Sequence, residues 1–134
     1  MKKNICILFF AVALFVAPVL QANPGEQDDK LSKAIAVYAT SLQHNNKGVV
    51  ESTIFNVMRL KRDHANLDYS EIRSNLKILL INPPSQTIRY KAFIALNYLE
   101  SPQHFPWIEE IKPGEPAESF RVLSEKLTQQ LAGL

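Results

Sequence analysis

The feature that most constrains this chain is an apolar rhythm of helical period that is written twice. Residues 48–60 read GVVESTIFNVMRL and residues 87–99 read TIRYKAFIALNYL. A displacement of thirty-nine positions sets Val49 against Ile88, Thr53 against Ala92, Ile54 against Phe93, Val57 against Leu96 and Leu60 against Leu99, although only the last pair is identical. Apolar residues spaced by three and four share one face of a helix, so both segments are expected to be helical. Both also carry apolar residues beyond a single stripe, which predicts helices lying between neighbours rather than on a surface.

Helical spacing extends on either side. Leu31, Ile35, Tyr38 and Leu42 predict a first helix from Asp29, capped by Asp28 or Asp29 and ended by the HNNKG cluster at 44–48. The preceding NPGEQD, residues 23–28, reads as a loose, flexible terminus. A third helix is expected from Tyr69 or Ser70 to Ile81, with Ile72, Leu76, Leu79 and Leu80 inward and Asp68 or Ser70 as cap. Pro83 and Pro84 stop it. The fourth spans 86–99. Between Ser101 and Pro116 the prolines leave room only for a turn or short helix at 107–111. Pro116, Glu118 and the series Phe120, Leu123, Leu127, Leu131 then specify a last amphipathic helix. No stretch from 23 to 134 alternates with period two, so residues 29–134 are read as one all-α domain.

The helix before each crowded helix recurs as well, because Leu31, Ile35 and Tyr38 map onto Ile72, Leu76 and Leu79 forty-one positions later. Helix pairs with a period near forty stack on one another when no single pair can bury its own faces. Small residues at 53, 92 and 95 would let helix backbones approach closely. With Ile88-Arg89 at its start and Ala92, Ala95 and Leu96 within, the segment 87–99 resembles the first helix of a HEAT or armadillo repeat unit. The resemblance covers about residues 29–99 and implies a short right-handed α-solenoid of five to six helices. Val50 stands where the family has arginine in the first unit, and Pro102, Pro106 and Pro113 interrupt the last partner helix. The implied array is therefore compact and capped, with an irregular helical bundle as the alternative. In that family the second helices line the binding side, which implies Lys33, Arg73 and Lys77 as partner contacts.

The first 22 residues read differently. MKKN is followed by ICILFFAVALFVA, thirteen residues with no polar side chain but the Cys6 thiol, then Pro18 and the small residue Ala22. This is the pattern of a cleaved secretory signal peptide, and thirteen residues fall short of the roughly 20 that a membrane-spanning helix needs. Export to a periplasm or the exterior is expected, without a stable membrane anchor. Lys2 and Lys3 lie in this segment, so the remainder carries thirteen basic and thirteen acidic residues and no basic patch of the kind nucleic acids select. It also contains no cysteine, so its fold must rest on a packed core.

Catalytic signals are sparse. His44, His64 and His104 share no metal-ligand spacing, and no phosphate-cradling glycine loop occurs, so no metal or cofactor is expected. Asp63, His64 and Asp68 form a polar group after the second helix, which is the place for a catalytic site if the chain is a small exported enzyme or enzyme regulator. Helix ends collect such residues for capping, and Glu109, Glu110 and Glu115 read as a solvated loop. Trp107, in the proline-stiffened FPW run, is a candidate partner contact or a plug for the open end of the array beside Phe105. The expected function is a non-enzymatic binding or scaffold module for a protein or peptide, with Lys33, Arg73, Lys77 and Trp107 as contacts.

Overall fold

The computed structural model describes residues 23–106, 108 and 116–133. The expected signal peptide, Trp107, the acidic residues 109, 110 and 115, and the side chain of Leu131 lie outside the described residues. Those described form five α-helices, α1 (Pro24–Ser41), α2 (Lys47–Asp63), α3 (Ser70–Ile81), α4 (Gln86–Glu100) and α5 (Pro116–Ala132), with a 3-10 turn at Pro102–His104 and no strand. The chain is all-α.

Local chemistry explains most boundaries. Helix α1 starts at Pro24, five residues before the expected Asp29, because proline is preset for the first helical position and Glu26 suits the positive end of the helix. Asp29 is thus not a cap; it lies inside α1 and accepts from Lys33 Nζ at 2.8 Å. Asn46 caps α2, its Oδ1 accepting from the backbone of Gly48 at 2.9 Å and Val49 at 3.3 Å. Gly48 belongs to that cap, since a Cβ there would stand 3.2 Å from Asn46 Oδ1. Asp68 accepts from Ser70 N at 2.9 Å where α3 begins, and Ser85 Oγ accepts from Ile88 N at 3.1 Å to start α4. A 3-10 turn opened by Pro102 lies at Pro102–His104, and the turn expected at 107–111 falls, apart from Ile108, outside the described residues.

Helices α1 and α2 make one antiparallel hairpin and α3 and α4 another, with α1 beside α3 and α2 beside α4. Glu51 and Lys91, each in the first half of its helix, meet at 2.7 Å, so α2 and α4 run in the same sense. Helix α4 is the hub, with its broadest contacts to α3 and α2. Val50, Ile54, Val57, Ile72, Leu76, Ile88, Ala92, Ile94 and Ala95 are all fully enclosed. Thr53, Ala92 and Ala95 are buried, so the small positions do face neighbouring helices.

The thirty-nine-residue register holds in part. Thr53 and Ala92 are both buried, as are Val57 and Leu96, but Ile54 is enclosed while Phe93 is 51% exposed. Buried faces align better at forty-two positions, which pairs Val50, Thr53, Ile54 and Val57 with Ala92, Ala95, Leu96 and Leu99. The difference of three residues turns α4 by about one sixth of a revolution, the ambiguity inherent in i, i+3 and i, i+4 neighbours. For α1 and α3 the aligned positions are Ile35, Tyr38, Ala39 and Leu42 against Ile72, Asn75, Leu76 and Leu79, one turn from the expected register.

Helix α5 runs along α4 in the same sense. Phe120 meets Phe55 edge-on with ring centroids 6.2 Å apart, Tyr90 Oη donates to Ser124 Oγ at 2.9 Å, and Leu127 and Gln130 stand opposite Phe93 and Asn97.

Candidate functional site

The outer layer made by α1 and α3 carries three of the four contact residues expected from the sequence. Lys33 and Val37 stand one turn apart on α1, and Lys77 and Ile81 stand one turn apart on α3, all facing solvent. Val37 is 59% exposed, Ile78 54% and Ile81 76%, three of the five large apolar residues so displayed among the described residues. Lys33 pairs with Asp29 on its own helix, while Lys77 reaches Glu100 of α4 at 3.4 Å. Pairs this exposed contribute about 0–1 kcal/mol each, so both lysines can change partners at little cost. Arg73 is half-buried one turn before Lys77. The structure therefore sets Arg73 and Lys77 together on α3 and Lys33 separately on α1.

Behind this layer lies a polar device that sequence reasoning missed. Asn75 is buried among Ile72, Leu76 and Leu79. Its Nδ2 donates to the carbonyl of Ala39 at 2.9 Å, and its Oδ1 accepts from Gln43 Nε2 at 3.2 Å. In a continued helix the Ala39 carbonyl would receive Gln43 N, but that amide bonds Thr40 O at 3.1 Å as α1 tightens. Asn75 thus closes the C-terminal end of α1 from another helix. A cleft of about 410 Å³ opens beside it, lined by Gln43, His44, Asn45, Ile78, Asn82 and Pro84 among others. The available signal was a lone amide three residues after Ile72, at a helix position reserved for the core.

The polar group after α2 is occupied with structure. Asp63 is held below the usual carboxylate range by its hydrogen bond from Arg62, Nε to Oδ1 at 2.8 Å, and by that guanidinium's charge. Asp68 is held low by hydrogen bonds from Ser70, side chain first and then backbone, with Arg73 adding a smaller pull. Burial pushes the Tyr69 hydroxyl up to about 12, and it donates to the His64 carbonyl at 2.8 Å while Lys61 Nζ lies 5.0 Å from its ring centre. General acid–base work near neutral pH needs a group whose pKa lies close to it. Asp63 and Asp68 move away from that range below, and Tyr69 above. No group of three His, Cys, Asp or Glu with metal-binding geometry occurs among the described residues.

At the other side of the molecule α4, the 3-10 turn and α5 enclose a groove of about 410 Å³, lined by Phe93, Ile94, Asn97, His104, Phe105, Leu127 and Gln130. Phe105 is buried and meets Tyr98 edge-on at 5.6 Å. Lys91 sits at the junction of three helices, bonded to Glu51 of α2 and 5.0 Å from the centre of the Phe120 ring of α5, with its side chain only 12% exposed. No described helix is long and apolar enough to cross a membrane. No family model matches the chain, and neither a curated protein nor a solved structure is significantly similar to it.

Proposed function

We propose that this chain is an exported, non-enzymatic binding or scaffold module whose α1–α3 layer engages a protein or peptide partner. The observation that carries the reading is the display of Val37, Ile78 and Ile81 beside Lys33, Arg73 and Lys77 on one layer of two packed helices. Large aliphatic residues held outward within an ordered layer gain free energy only when a second surface covers them. The neighbouring cations add orientation without fixed commitments. Stacked hairpins in which like helix lies beside like support a HEAT-type array, whose regular layers offer such surfaces. The N-terminal sequence pattern supports export and removal of residues 1–22.

The test is affinity capture from the exported fraction with wild-type protein, with Ile78→Ser/Ile81→Ser and with Arg73→Glu/Lys77→Glu. Ile78 and Ile81 are exposed, so the serine variant should keep its melting temperature within about 3 °C while losing the partner. An unchanged set of captured proteins in both variants would remove this layer from the function. A hydrolase screen on the same preparation, with His64→Ala as control, tests the enzymatic alternative.

A further inference from the structure

The C-terminal ends of α1 and α3 meet at the cleft of about 410 Å³ beside Asn75. Leu42 and Leu79, both buried, give it an aliphatic floor, and Ile78 and Pro84 add apolar surface at its side. Four side-chain amides share the lining, those of Gln43, Asn45, Asn75 and Asn82. His44 accepts from Asn46 N with its Nδ1 at 3.0 Å, so the neutral ring carries its proton on Nε2. Apart from His44, no titratable side chain lines the cleft among the described residues. The electrostatics come instead from the backbone. Neither helix has a basic residue in its last turn. Helix α3 closes with Asn82 N on the Ile78 carbonyl at 2.8 Å, and the next two residues, Pro83 and Pro84, have no N–H to offer the carbonyls of Leu79 and Leu80. Two negative helix poles thus reach the cleft with no cation from their own last turns. Anions are repelled there, whereas neutral and cationic groups are not.

We propose that this cleft binds a monosaccharide, neutral or amine-bearing. A side-chain amide holds a donor and an acceptor next to each other, and two neighbouring hydroxyls of a sugar ring meet both at once. Four such amides around one hollow offer several of these paired contacts, while the C–H face of the ring is apolar and suits the floor of Leu42 and Leu79. The connection after α1 and the connection after α3 both contribute to the lining, so the hollow is bounded on two sides and takes a compact ligand in preference to an extended chain. Its volume falls in the lower part of the range of about 300–1,000 Å³ found for small-molecule sites. The absence of a lining cation, together with the two helix poles, selects against phosphorylated and acidic sugars. Lys33, Arg73 and Lys77 take no part in the site, and it does not depend on the partner surface proposed above.

The experiment follows the side-chain amide signals of Gln43, Asn45, Asn75 and Asn82 in 15N-labelled protein by NMR, at about pH 8 where an ordinary histidine is neutral. The titrants are glucose, 6-amino-6-deoxyglucose and glucuronate, which differ only in the group at the end of the chain: hydroxymethyl, aminomethyl and carboxylate. Glucose should shift these four signals saturably with a Kd of about 1–10 mM, the affinity that a few hydrogen bonds in an open cleft support. The amine should bind about threefold more tightly than glucose and glucuronate about threefold more weakly, so that the two charged sugars differ about tenfold. Asn45→Ala/Asn82→Ala changes two exposed positions and should weaken glucose binding about tenfold with the melting temperature kept within about 3 °C. The charge series is read on the parent protein and so stands whatever the variant does to folding. The proposal is overturned if the four signals show no saturable shift up to about 50 mM glucose, or if glucuronate binds as tightly as the amine. It is equally overturned if the double variant, melting like the parent, binds glucose as well as the parent does, or if N-acetyl-dialanine amide binds as tightly as glucose, which would mark a site for peptide groups.

Discussion

Asn75 offers the sharpest test of how the two hairpins are joined. Replacing it by alanine removes the donor to the Ala39 carbonyl and the acceptor for Gln43, in a site where Asn75 itself is 6% exposed. A buried carbonyl without a partner costs about 1–3 kcal/mol, and Gln43 can turn to water, so the expected loss is about 2 kcal/mol. With a urea slope of about 2 kcal/mol/M, the unfolding midpoint should fall by about 1 M at unchanged slope. Asn75→Asp is the informative companion because it keeps the shape and changes only the chemistry. A carboxylate cannot donate, and it places charge against a carbonyl oxygen, so at pH 7 the loss should exceed that of the alanine variant and reach about 3 kcal/mol. Burial beside an acceptor raises the folded pKa of this aspartate above its unfolded value of about 3.9. Its penalty relative to the parent is then greatest above the folded pKa and shrinks as pH falls through it, because the protonated carboxyl can donate to Ala39. Urea unfolding of parent and variant at matched pH values from 3 to 7 reads this directly. An aspartate variant within about 0.5 kcal/mol of the parent at pH 7 would refute the reasoning.

Three further outcomes follow from the packing and the charges. Lys91→Ala should destabilise by about 2 kcal/mol, between the values of exposed and fully buried pairs, and a double-mutant cycle with Glu51→Ala should return a coupling of about 1 kcal/mol by urea unfolding. Ala92→Leu should cost about 1–3 kcal/mol, because the added methylenes enter a fully enclosed site at the α2–α4 contact; a variant as stable as the parent would show that the helices stand further apart. Asp63, Asp68 and Glu118 all sit below their ordinary carboxylate values of 3.8, 3.8 and 4.5. Each contributes stability that is present above its unfolded pKa and lost as pH falls through the lower folded value. Melting temperature should therefore decline below about pH 4, and the Asp63→Asn and Glu118→Gln variants should show a shallower decline.

The helices were readable because their signals are local: proline or a capping side chain at the start, apolar spacing of three and four within, and prolines at the stop. Asp68, one of the two caps expected for the third helix, accepts from Ser70 N where that helix begins. What misled was local logic carried too far. NPGEQD has the composition of a loose end, but Pro24 fits a first turn and gives α1 five more residues. The thirty-nine-residue register sets Phe93 against Ile54, yet only Ile54 is enclosed; the exposure of Phe93 follows from the rotation of α4 about its axis, which neighbouring helices decide. Asn75 was hidden for the opposite reason, since its partner lies thirty-six residues away and nothing local asks for an amide there. Of the expected contacts, Lys33, Arg73 and Lys77 stand on the outer layer, but the exposed Val37, Ile78 and Ile81 beside them become visible only once the inward faces of α1 and α3 are fixed.

The central position of α4 governs how the molecule comes into being. A ribosome releases α1, α2 and α3 before α4, the broadest neighbour of α2 and α3, has been joined to the chain. Until Glu100 has emerged, Ile54, Val57, Leu76 and Leu79 have no complete α4 to meet, and the first hairpin and α3 remain open to water on that side. Vectorial synthesis thus leaves α2 and α3 without their broadest neighbour until about three quarters of the chain has been made.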